Sequence, residues 1–110
     1  MPALNVGQLA TAIVAAMKGS VGENWPKISE YATGEGKKLA ETLVQIEALR
    51  AVNQISEGEA SVLLEMQKNT TRSVLLAVKG MGLIAVEEAI NAALAAVRGA
   101  VNTALGFALL

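Results

Sequence analysis

Toward the C-terminus, Leu83, Val86, Ile90, Leu94, Val97, Val101, Leu105 and Ala108 follow one another at separations of three, four, four, three, four, four and three residues. This is a repeat of eleven residues over three helical turns, about 3.67 residues per turn. Such spacing holds an apolar stripe on one face of an α-helix that runs nearly straight or with a slight right-handed supercoil. The sequence around the stripe echoes itself, EAINAALAAVR being followed directly by GAVNTALGFAL. Asn91 and Asn102 are eleven apart, as are Glu87 and Arg98, so two polar pairs line up along one edge of the same helix.

No proline interrupts the chain after Pro26, and the region beyond Ser56 reads as one long C-terminal helix over 56–110, bent near Lys79-Gly80-Met81-Gly82. Its glycines cost about 1 kcal/mol each against alanine. Some 50 residues of helix would extend about 75 Å. Its start is marked by Ser56-Glu57-Gly58-Glu59, a capping box in which the Ser56 side chain accepts from the Glu59 amide and Glu59 reaches back to the Ser56 amide. Ile55 and Ala60 stand where a hydrophobic staple belongs.

Upstream, Asn5 and Gln8 predict a helix start, and Leu9, Ala12, Ile13, Ala16 and Met17 fall on one face of a short N-terminal helix within 1–22. Glycine at 19 or 22 ends it. A second helical region, 24–54, begins at Asn24-Trp25-Pro26, because proline suits only the first turn. Thr33-Gly34-Glu35-Gly36 is expected to interrupt it as a turn. From Lys37 to Asn53, Leu39, Leu43, Ile46, Leu49 and Val52 form a clean apolar face. The whole reads as one all-α domain, 1–110. In it an antiparallel helical hairpin follows a short N-terminal helix, and the long Ala/Gly-rich C-terminal helix packs into a homo-oligomer.

Composition narrows the chemistry. The chain has no His and no Cys, and all ten acidic residues are Glu. Absent His and Cys remove the usual general base, thiol nucleophiles and most transition-metal sites. Glu87 and Glu88 are adjacent, and neighbouring helix positions point about 100° apart, so their carboxylates do not converge. Gly34-Glu35-Gly36-Lys37 has the wrong spacing for a phosphate loop. Trp25 and Tyr31 read as anchors of the N-terminal layer, and Thr70-Thr71 as a bend or a polar contact. No catalytic, cofactor or metal site is expected, and the expected class is not an enzyme. With a net charge of −1 and interleaved signs, no nucleic-acid surface is expected either. The apolar run Leu9–Met17 lacks a preceding basic residue, the reverse of a signal peptide, so the expectation is a chain made in the cytoplasm.

The segment Lys37–Asn53 covers only about 25 Å of a 75 Å partner. The uncovered stripe therefore predicts self-assembly into a ring, bundle or filament, in the character of a virion, tail or filament component. The expected interface comprises Leu83, Val86, Ile90, Leu94, Val97, Val101 and Leu105, with Asn91 and Asn102 fixing register. Glu87 of one copy is expected to pair with Arg98 of the next. Two other occupants of the stripe are considered: lipid, in a pore-forming or membrane-associating oligomer, and a larger protein for which this chain is a helical adaptor. No uninterrupted apolar run reaches the 18 to 20 residues a spanning helix needs, so the lipid reading is not favoured.

Overall fold

The structure is a computed structural model in which residues 3–110 are described. The chain is all-helical, with no strand among the described residues. Helix α1 spans Val6–Val21, a 3-10 turn follows at Gly22–Asn24, and α2 spans Trp25–Ala51. Helix α3 spans Glu57–Leu76 and α4 spans Leu83–Leu105.

Local chemistry sets most of these limits. The Asn5 side chain accepts from the Gln8 amide at 3.0 Å and starts α1. Gly22, with φ of +54°, turns the chain out of it. Pro26 lies in the first turn of α2, where its missing N–H has no helical partner to lose. Ser56 and Glu59 form both halves of the capping box at the start of α3, at 3.0 and 2.9 Å.

Two expectations are corrected. Helix α2 runs through Thr33–Gly36 without a turn. A glycine is accommodated there because α1 crosses close by, and a Cβ on Gly36 would stand 2.7 Å from Val14 Cγ2. The long helix over 56–110 is in fact two helices. Ala77, Val78 and Met81 make short-range backbone hydrogen bonds that tighten the chain, Gly80 takes φ of +93°, and Gly82 enters α4 in an extended conformation. Met81 is buried and holds this reversal against the core.

That break resolves the mismatch in length. Helix α1 lies between α2 and α4, and α3 contacts both α2 and α4, so the four helices surround one core. The molecule measures 42 × 22 × 19 Å, and its longest axis matches the roughly 40 Å of a 27-residue helix such as α2. Ile13, Met17, Ile28, Leu39, Leu43, Ile46, Leu75, Val86, Ile90 and Val101 are fully enclosed. Each contributes about 1.5–3 kcal/mol of burial.

The three buried polar residues among those described, Glu35, Glu47 and Thr71, are partnered. The Glu47 carboxylate accepts from the backbone amides of Ala3 and Leu4, at 2.9 and 3.1 Å, and so ties the segment before α1 to the end of α2. The buried Thr71 hydroxyl donates to Glu35 Oε1 at 3.1 Å and accepts from Gln67 Nε2 at 3.2 Å. Lys38 reaches the other Glu35 oxygen at 3.1 Å. Thr71 is thus a polar contact, and α3 continues through it as α-helix.

Candidate functional site

The stripe on α4 faces inward. Val86, Ile90 and Val101 are fully buried, and Leu94 and Val97 nearly so, in the core of their own chain. Five of the seven apolar residues expected at an interface between copies are therefore covered by α1 and its neighbours. The physical reason is the reversal at Gly80–Gly82, which brings α4 back along the bundle. Leu83 is the exception at 57 % exposure, and Leu105 is half-buried.

Two polar residues of the repeat, Asn102 and Glu87, find partners within the chain. Asn102 accepts from the amides of Leu109 and Leu110, both at 3.0 Å, and its own Nδ2 donates to the Leu110 carbonyl at 3.3 Å. It pins the segment after α4, while Asn91, three turns earlier along the same edge of that helix, is exposed. Glu87 pairs with Arg72 of α3, not with Arg98. This contact holds the Glu87 carboxyl below its ordinary range and the Arg72 guanidinium above its own. Asn69 accepts a second bond from Arg72 at 2.6 Å. Arg98 is exposed and has no ion-pair partner among the described residues. In the capping box, the Ser56 amide and hydroxyl lower the Glu59 carboxyl.

A different surface emerges from the packing. An open groove of about 640 Å³ runs between α1 and α2, with Val6, Ala10, Val14 and Trp25 among its apolar lining. Lys18 contributes from the α1 wall and Lys37 from the α2 wall, and no acidic residue lines it. Neither lysine has an ion-pair partner among the described residues. The groove is wide because its walls are built from small residues, Gly7, Ala10 and Ala15 on α1 and Gly34 on α2. Val6, Ala10 and Val14 recur every four residues. That spacing is the sequence signal for a second apolar face on α1, beside the stronger one of Leu9, Ile13 and Met17.

Large apolar side chains are also exposed elsewhere. Ile84 is 76 % exposed beside Leu83 at the start of α4, and Val62 and Met66 are exposed one turn apart on α3. Among the described residues, no group of three acidic, His or Cys side chains gathers to hold a metal, and no helix is long and apolar enough to cross a membrane. No known protein family, curated protein or solved structure shows significant similarity to the chain.

Proposed function

We propose that this chain is a non-enzymatic structural subunit that associates with copies of itself. Its helices, with α2 and α3 as a helical hairpin, serve as a rigid packing block. The observation that carries this reading is the apolar surface left outside after the core is complete: Leu83 and Ile84 on α4, Val62 and Met66 on α3, and the groove between α1 and α2. Contiguous apolar patches on a folded protein mark surfaces that a partner covers. The charges are distributed to match. Helix α1 carries only Lys18, and α4 carries Glu87, Glu88 and Arg98, whereas α2 and α3 bear most of the remaining charged residues. The α1 and α4 side is the one suited to lie against a neighbour.

Light scattering on the purified chain tests this, in buffer and in mild detergent. A single mass of several chains in buffer supports the structural reading. A monomer under both conditions refutes it, and a defined oligomer formed only in detergent replaces it with lipid association.

A further inference from the structure

We infer that the α1–α2 groove of one copy receives the N-terminal end of α4 from a second copy, with Leu83 and Ile84 as the apolar knob and Glu88 facing Lys18 and Lys37. The inference rests on the self-association reading and gives it a site. Two surfaces of the same chain complement each other. The groove has an apolar floor, Val6, Ala10 and Val14, and two lysines without ion-pair partners from opposite walls.

The knob has the opposite character. Ile84 is the most exposed large hydrophobic residue among those described, at 76 %, and Leu83 adjoins it at 57 %. Glu88, one turn beyond Ile84, is exposed and takes part in no ion pair among the described residues, unlike Glu87. The acidic residues of α3 near Val62 are otherwise engaged, Glu65 with Lys68 and Glu59 in the capping box. This favours the start of α4 over Val62 and Met66 as the occupant. Small residues along the groove, Gly7, Ala15 and Gly34, permit a neighbouring helix to come close.

Groove and knob are different surfaces, so the contact is heterologous. Each copy offers one of each, and repetition produces a ring where the rotation closes and a filament where it does not.

The test is complementation between two surface variants. Lys18→Glu combined with Lys37→Glu reverses the groove, and Ile84→Asp disables the knob. All three positions are exposed, and circular dichroism checks that both variants remain helical. The expected result is that each variant alone loses assembly at concentrations where the wild-type chain is assembled. Mixed one to one, they form a species of two chains and no larger, because only one productive contact remains. Variants that keep the wild-type mass overturn the groove and knob while leaving self-association standing. A mixture that stays monomeric although both variants fold and the wild type assembles also overturns it. A wild-type chain that is monomeric overturns this inference together with the reading beneath it.

Discussion

Gly36 of α2 and Val14 of α1 meet where the two helices cross, and a Cβ at position 36 would stand 2.7 Å from Val14 Cγ2 and 3.3 Å from Ile13 Cγ2. Valine is stiff about χ1, so the methyl cannot swing aside without leaving its preferred rotamer. Gly36→Ala therefore costs about 1–3 kcal/mol through overpacking, against the roughly 1 kcal/mol that alanine returns in helix propensity. At Gly34, two residues earlier, nothing lies within 4 Å of an added Cβ. Gly34→Ala is expected to stabilise by up to about 1 kcal/mol. Urea midpoints that shift in opposite directions support the crossing; two shifts of the same sign would contradict it.

The inward orientation of the α4 stripe predicts unfolding rather than dissociation when a charge is placed on it. Val101 is fully buried, so Val101→Asp must bury an unpaired carboxylate and is expected to cost more than about 4 kcal/mol. The helical signal in circular dichroism at 25 °C should collapse. A variant that keeps full helicity and only changes mass would show that Val101 faces another copy.

Glu47 holds the residues before α1 by accepting two backbone amides. Glu47→Ala leaves the Leu4 amide without its partner in a buried setting, at a cost of about 1–3 kcal/mol. Amide exchange at Leu4 should accelerate well before that of Ile13 in the middle of α1. Equal acceleration at both sites would argue against a local tie.

At the other end, Asn102 makes three hydrogen bonds to Leu109 and Leu110. Asn102→Ala should release that segment and remove about 1–3 kcal/mol of stability. Phe107, whose ring lies 5.1 Å from the Arg50 guanidinium, should broaden or shift in NMR spectra. Unchanged Phe107 resonances would count against the release.

The pH dependence follows from Glu87 and Glu59, both held below the ordinary carboxylate value of 4.5. A carboxyl with a depressed folded value binds its proton less readily in the folded than in the unfolded chain. The stability it contributes is fully present above the unfolded value and is lost as pH falls through the folded one. Thermal midpoints of the wild type should therefore drop on acidification below the ordinary carboxylate range. Arg72→Ala should flatten part of that acid limb, and Arg98→Ala should leave it unchanged. The reverse pattern would restore Arg98 as the partner of Glu87.

Features set by a few adjacent residues were legible in the sequence. Asn5 with Gln8, Ser56 with Glu59, and Pro26 in its first turn each carry their geometry in a short spacing. The all-α class follows from the same local preferences. Glycine is where local reading fails, because the same residue serves a close crossing at Gly36 and a chain reversal at Gly80. Only the position of a neighbouring helix tells these apart. The partner of Glu87 was hidden for a related reason: Arg72 becomes a neighbour only once α4 has folded back past α3. The eleven-residue spacing identified the buried face of α4 but not what buries it. The groove was weakly marked, since Val6, Ala10 and Val14 are overshadowed by the more apolar face one step around α1.

The reversal at Gly80–Gly82 also sets an order in time. Helix α1 is synthesised before α4, which covers it most extensively. At about 5–20 residues per second, a nascent chain waits on the order of several seconds between making the inner face of α1 and making its cover. Through that interval Leu9, Ile13 and Met17 can be only partly shielded, by α2 alone. The non-local α1–α4 pairing is thus the contact that closes the core, and it waits on synthesis of everything between the two helices.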